Sequence, residues 1–262
     1  MLHRTDYHIH TRYSDGIGWP EDYIGPAIAA GLSEIGFSDH LTLAPDQKDW
    51  SIRPELLGEY SEHILRLKEE NKNIMIRLGL EIDYLPGKEM EISEISRDLP
   101  LDFIIGSVHY LGEDSVDTGP EFYHDKNIDD LFESYFSIVS QAASTGLFDI
   151  IGHPDLVRIY RASPVNSPAN LYRDLAKKLK KFNVTIELNT NGVNKPLGDF
   201  YPDKEYLHFF CEEGVPVCVN SDAHNPAGVA QYFDQAYSLL IHAGYQEMAL
   251  FNNRKRSLKP LF

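Results

Sequence analysis

Short apolar runs recur along the chain, and most are followed by a longer stretch whose apolar residues repeat at helical intervals. The runs DYHIH (6–10), EIGFSDH (34–40), IMIRLGLEID (74–83), DFIIGSVH (102–109), FDIIGH (148–153), VTIELN (184–189) and VPVCVNSD (215–222) read as strands. Several are apolar almost without interruption, which is the pattern of strands covered on both faces. Between them, PEDYIGPAIAAG (20–31) opens on Pro20 and closes at Gly31, the punctuation of a helix. PELLGEYSEHILRLKEEN (54–71), DDLFESYFSIVSQAASTG (129–146) and SPANLYRDLAKKLKKF (167–182) carry the same period, and a last helix is predicted from about Pro226 to Gly244.

Seven strand units alternating with helical segments predict an α/β protein whose parallel sheet is covered by helices, in the form of a closed or nearly closed barrel. No repeat of fixed period and no low-complexity tract breaks the pattern, so one domain is expected over residues 1–262. In such barrels the functional groups gather at the C-terminal ends of the strands and in the loops that follow. The two longest insertions, 42–54 and 110–127, both follow strand ends and are candidate loops for covering a site and selecting a substrate.

With 42% hydrophobic and 24% charged residues, the chain has the material of a globular protein with a large core. Its 24 basic against 40 acidic residues give a net charge of −16, a field that repels polyanions and argues against a nucleic-acid partner. The only basic run, NNRKRSLKP, reads with Arg254, Lys255 and Arg256 as a solvated terminal face. The first residues hold no signal-peptide pattern and no stretch of about 18 apolar residues occurs, so a cytoplasmic protein without a membrane partner is expected. Cys211 and Cys218 sit in apolar surroundings and read as buried reduced thiols.

The candidate chemistry begins with HIH, where residues two apart in a strand put His8 and His10 on one face. Taken alone, that pair is equally an ordinary half-exposed strand face. The other strands change its meaning. His40 ends the second, Glu81 lies late in the third, His109 and His153 close the fourth and fifth, and Asp222 and His224 close the seventh, while Asp15 follows the first. Six of the eleven histidines therefore fall at one predicted rim, with ligand types that suit Zn, Mn and Fe. Nine such side chains exceed the needs of one ion, so two or three ions sharing a carboxylate are expected. Asp39, Asp155 and Glu187 are read as acids that accept the other ring N–H of these histidines.

The ordered set HIHTRYSDG, FSDH, GLEID, GSVH, GHPD, ELNTNG and NSDAH resembles the PHP superfamily of polymerase and histidinol phosphatase domains, and within it the stand-alone histidinol-phosphatase branch. That resemblance implies a distorted (β/α)7 barrel with three divalent metal ions, Zn, Mn or Fe. It implies His8, His10, Glu81 and Asp222 on the first ion, Glu81, His109 and His153 on the second, and Asp15, His40 and His224 on the third. The activity implied is hydrolysis of L-histidinol phosphate by a hydroxide bridging two ions, with Glu81, Asp222, His40 and Arg158 in catalytic roles. The alternative is another small phosphate ester, such as a nucleotide or sugar phosphate, on the same centre. Arg158 is expected on the phosphate by its position in HPDLVRIYR, with Arg161 and Lys195 as further cations. Asn194 stands where many members of the family carry a basic residue. Among the acids Glu113, Asp114 and Asp117 of the central loop, Asp117 is the expected contact for a cationic leaving group. Oligomeric state is not legible.

Overall fold

Strand and helix alternate along the whole of the structure, a computed structural model that describes residues 3–44 and 50–261. The first half contains β1 (Thr5–Asp6), α1 (Pro20–Ala29), β2 (Glu34–Phe37), β3 (His40–Leu41), α2 (Leu57–Glu70), β4 (Met75–Asp83), α3 (Glu89–Arg97) and β5 (Phe103–Ser107). A small hairpin follows, β6 (Tyr110–Leu111) with β7 (Asp114–Ser115), and then α4 (Ile128–Ser144), β8 (Ile150–Ile151), α5 (Ala169–Phe182) and β9 (Thr185–Asn189). The chain ends with α6 (Leu207–Glu212), β10 (Val217–Asn220), α7 (Phe233–Ala243) and a hairpin of β11 (Glu247–Asn252) and β12 (Lys255–Pro260).

The large sheet runs in the order β1-β2-β4-β5-β8-β9-β10, with every neighbouring pair parallel and β3 paired to the far half of β4. First and last strands meet just beyond their named ends. The His10 N–H donates to the Ala223 carbonyl (2.9 Å), the Ala223 N–H to the His8 carbonyl (3.1 Å), and the Tyr7 N–H to Asn220 Oδ1 (2.8 Å). The result is a nearly closed seven-stranded parallel barrel, the (β/α)7 form expected.

Each helix lays one stripe on this barrel. In α5 the buried residues are Tyr172, Leu175, Ala176 and Leu179, the spacing of a single helical face. α4 is capped by Asn127, whose side chain accepts the Asp129 N–H at 3.0 Å. Barrel strands are buried on both faces, as in β5, where all five residues are covered. Each large aliphatic or aromatic side chain so buried contributes about 1.5–3 kcal/mol.

Several expectations change. His8 and His10 lie beyond the named strand: β1 ends at Asp6, and the chain after it is held on one side by the Ser38 N–H donating to the Ile9 carbonyl (2.9 Å) and on the other by the bridge of Ile9 to Ala223. The last helix starts at Phe233 rather than Pro226, because Ala230 and Tyr232 take φ of 55° and 58°, outside helical geometry. Helices α3 and α6, of nine and six residues, were not expected.

The C-terminal basic run is largely exposed, as expected of a solvated face, but from Lys255 onward it forms strand β12. Phe251 and Ala249 pack with Tyr7, Phe103, Ile105, Ile150 and Cys218 in a small second core. Arg254 pairs with Asp149 and donates to the Leu147 carbonyl (2.7 Å), while Arg256 donates to the Asn183 carbonyl (2.9 Å). These contacts precede β8 and β9, so the hairpin covers the end of the barrel opposite the histidine rim. Both cysteines are free; Cys218 is buried and Cys211 half-buried. Among the described residues, no helix is long and apolar enough to cross a membrane.

Candidate metal centre

The centre is built around Glu81, fully buried in β4 at the middle of the rim. Its Oε2 lies 2.7 Å from His40 Nδ1, 3.1 Å from His8 Nε2 and 3.5 Å from His10 Nε2, while its Oε1 lies 3.0 Å from His153 Nε2. The Ser107 hydroxyl of the neighbouring strand donates to the same Oε1, fixing the carboxylate plane. Strand register explains the pairing, since Glu81 sits opposite His40 on one side and Ile105 on the other.

His10 is the second hub. Its ring lies against both His40 and His224, with centroids 4.1 and 4.2 Å away, and its Nε2 is 3.1 Å from Asp222 Oδ1. Asp15 reaches the same place from the loop after β1, 3.3 Å from His224 Nε2 and 3.8 Å from His40 Nε2. That loop is held by Asp39, which accepts the Thr11 N–H (2.8 Å) and the Ser14 N–H (3.1 Å) and hydroxyl (2.7 Å). Gly16 is required there, because a Cβ would fall 2.2 Å from the His10 carbonyl oxygen. Asp222 itself has φ of 49°, a conformation costly for most residues but tolerated by Asp, which turns the chain sharply after β10.

Three groups of side chains thus present ligand atoms close enough to share an ion: His10, Asp15, His40 and His224; His8, Glu81 and His153; and His8, His10 and Asp222. The set differs in detail from the expected allocation, since His10 belongs to the Asp15 group as well as to the group with His8 and Asp222. His109 lines the same cavity but belongs to none of these groups; its Nδ1 is bound to the buried Asp83, two residues beyond Glu81 on the same face of β4. Sequence reasoning missed Asp83, although its spacing from Glu81 in GLEID was the available signal.

Of the three acids expected behind the histidines, only Glu187 serves one. It accepts from His8 Nδ1 (2.7 Å), the His153 backbone N–H (2.7 Å), Asn189 Nδ2 (2.9 Å) and Asn220 Nδ2 (2.8 Å). Asp39 holds the Asp15 loop instead, and Asp155 faces Arg158 and Tyr172.

Burial opposes ionisation of Glu81, but His8 and His40 beside it hold the carboxyl well below its ordinary range. Asp222 is lowered in the same way against burial, by His8 and His10. Burial and the adjacent His40 and His224 push His10 down to about 3, leaving a neutral ring able to bind a metal. Buried atoms without a hydrogen-bond partner cluster here as well: His8 Nε2, His10 Nδ1, Glu81 Oε2 and His153 Nδ1. Polar atoms are rarely buried without a partner. Ionised carboxylates, a neutral imidazole and orphaned ring nitrogens together fit divalent cations.

Above the centre opens a cavity of about 330 Å³. Its walls include the metal-type residues Asp15, His40, His109, His153, Asp222 and His224, with Trp50, Asp117, Lys195 and Tyr201 around them. Trp50, in the long loop after β3, sets its indole edge-on to His40 with ring centres 5.1 Å apart; positions 45–49 of that loop lie outside the described residues. Lys195 and Asp117 line the cavity. Arg158 and Arg161 do not line it. The Arg158 guanidinium is 3.0 Å from Asp155 Oδ2 and 3.0 Å from Asp203 Oδ2 and donates to the Phe200 carbonyl, so its charge is engaged by two acids. Arg161 Nε donates to the Pro196 carbonyl (2.6 Å) and braces the loop that carries Lys195. Glu113 and Asp114 lie outside the lining.

Fold and rim together define an α/β barrel with groups of ligand-type side chains gathered at one rim. The chain belongs to the PHP domain family, whose model matches residues 6–191. A probable histidinol-phosphatase from Deinococcus radiodurans is 33% identical, with 99% of this chain and 100% of the relative covered. The histidinol-phosphatase of Lactococcus lactis subsp. lactis is 27% identical over 97% of this chain and 96% of its own length. The crystal structure of the histidinol phosphate phosphatase from that organism, complexed with zinc, L-histidinol and phosphate, superposes with a TM-score of 0.85 at 28% identity. That superposition covers 98% of this chain and 100% of the other.

Proposed function

We propose that this protein is a metal-dependent phosphomonoesterase that hydrolyses L-histidinol phosphate to L-histidinol and inorganic phosphate. The observation that carries the hydrolase reading is the meeting of three ligand groups, joined through His8 and His10, at the floor of one cavity. Full-length similarity to histidinol-phosphatases, one of them holding zinc, histidinol and phosphate, supports the substrate. The reading takes residues 1–262 as one domain in the cytoplasm.

In this reading three ions, Zn, Mn or Fe, are held by His8, His10, Glu81 and Asp222, by Glu81, His109 and His153, and by Asp15, His40 and His224. Bound there, they supply Lewis acidity that lowers the pKa of a water and offsets charge on the phosphoryl oxygens and the leaving alkoxide. The chain's own residues do the rest. Glu81 and Asp222 bring negative charge to the floor and keep it ionised. Lys195 is the cation of the lining and meets the phosphate dianion. Asp117 meets the cationic histidinol moiety; its loop is fixed by the Tyr160 hydroxyl, which donates to the Asp117 carbonyl (2.8 Å), and by the Tyr123 hydroxyl on the Val116 carbonyl (3.0 Å). Trp50 lines the cavity against His40 and His109, with ring centres 5.1 and 6.3 Å away.

Steady-state kcat/KM on L-histidinol phosphate, beside a panel of nucleotide and sugar monophosphates after reconstitution with Zn or Mn, tests this. A preference of several orders of magnitude for histidinol phosphate is the expected result. Better turnover of another monoester keeps the centre and overturns the substrate.

A further inference from the structure

Tyr201 lines the cavity, is 2% exposed, and carries a hydroxyl that is buried without a hydrogen-bond partner. Nothing in the reading so far uses it. Its position is tightly set. The backbone is pinned to the end of β9 by two bonds, Asn189 N–H to the Tyr201 carbonyl (2.7 Å) and Tyr201 N–H to the Asn189 carbonyl (3.1 Å). The ring lies over Gly192, where a Cβ would fall 2.8 Å from Cε2, and stands edge-on to His153 with centres 6.3 Å apart. The ring is therefore held beside His153, one of the rim histidines that line the cavity.

A phenol buried without a partner is unfavourable, and its position in a binding cavity points to a partner brought by the ligand. The ligand group that belongs on the metal side is a phosphate, whose oxygens are acceptors. Of the side chains expected near it from sequence, Lys195 lines the cavity, whereas Arg158 is engaged by Asp155 and Asp203 and Asn194 is tied to Gln231 (2.7 Å) and Tyr232 (2.9 Å). We propose that the Tyr201 hydroxyl donates a hydrogen bond to a phosphoryl oxygen of the bound ester and of the phosphate product. It is thus a catalytic residue that orients the phosphoryl group. This inference rests on the phosphomonoesterase reading above.

Tyr201→Phe in the full chain, loaded with Zn, tests it. The expected result is a fall in kcat/KM of about ten- to a hundredfold on histidinol phosphate and on p-nitrophenyl phosphate alike. Inorganic phosphate should bind more weakly by a similar factor in calorimetry. Zinc content should stay unchanged, and Tm should be equal or higher, since the change deletes only an unpartnered hydroxyl. Unchanged kcat/KM and phosphate affinity would overturn the proposal. So would a loss confined to histidinol phosphate, which would put the hydroxyl on the leaving group, or a lowered Tm, which would make its role structural. Failure of the wild-type protein to hydrolyse either ester is a separate result and would overturn the phosphomonoesterase reading itself.

Discussion

His8 and Glu187 face each other inside the barrel with Nδ1 2.7 Å from Oε1, and neither side chain is accessible to solvent. The contact settles which nitrogen of His8 faces the cavity floor: with Nδ1 on Glu187, Nε2 is left toward Glu81 and Asp222. One carboxylate also ties the chain after β1 and β8 to β9 and β10, through four donors. Orientation of the ligand and closure of the barrel are therefore the same interaction.

Replacing that carboxylate by an amide keeps its shape but offers one acceptor where two are used. Glu187→Gln is expected to weaken metal binding by about 10–100-fold, the usual cost of losing an orienting partner. Titration of the metal-free protein with Zn, followed by calorimetry, measures it; unaltered affinity would assign Glu187 to the fold alone.

Glu81 touches four of the histidines, so its loss should dismantle the centre without unfolding the barrel. Glu81→Ala is expected to lose more than about a hundredfold in kcat/KM and to retain less metal, with an unchanged far-ultraviolet spectrum. A folded variant with wild-type turnover would remove Glu81 from the reaction.

Removal of metal should cost stability as well as activity. A ligand at about a thousand times its Kd stabilises the native state by about 4 kcal/mol, so chelation should lower Tm by several degrees and re-addition of Zn or Mn should restore it. Scanning calorimetry of the chelated and reloaded protein reads this directly. Equal Tm values would mean that the rim is not a metal centre.

Two of the three cations expected near the phosphate from sequence, Arg158 and Lys195, should behave differently. Arg158 is 11% exposed beside Asp155, which is 1% exposed, so Arg158→Ala strands a buried acid and is expected to destabilise by about 3 kcal/mol. Lys195 is exposed at the cavity and Lys195→Ala should leave stability alone while raising KM. Denaturant unfolding and kinetics on both variants decide it; wild-type stability in Arg158→Ala with a raised KM would return that arginine to the phosphate.

Phe251 fills the small core at the end of the barrel remote from the rim. Phe251→Ala should cost about 3–5 kcal/mol in denaturant unfolding. An effect below about 1 kcal/mol would mean that the hairpin is dispensable to the barrel.

The architecture was readable because local pattern and fold agree. Continuous apolar strands such as 102–109 and stripes such as Tyr172, Leu175 and Leu179 encode burial whatever their neighbours are. The C-terminal hairpin was not readable for the opposite reason. KRSLKP is mostly exposed and becomes a strand because β11 pairs with it and because Asn183 anchors Arg256, with Asp149 holding Arg254 just before it.

The candidate ligands follow the same division. By itself the sequence determined that His8, His10, Asp15, His40, Glu81, His109, His153, Asp222 and His224 lie at one rim, because strand polarity in a parallel barrel sends every strand's C-terminal end to the same side. Only the tertiary structure decided that Glu187 rather than Asp39 or Asp155 orients a histidine, that Asp83 holds His109, that two acids engage Arg158, and that Tyr201 reaches the cavity with a free hydroxyl. Those outcomes depend on which side chains from distant strands meet in a closed space, and linear spacing carries no record of that.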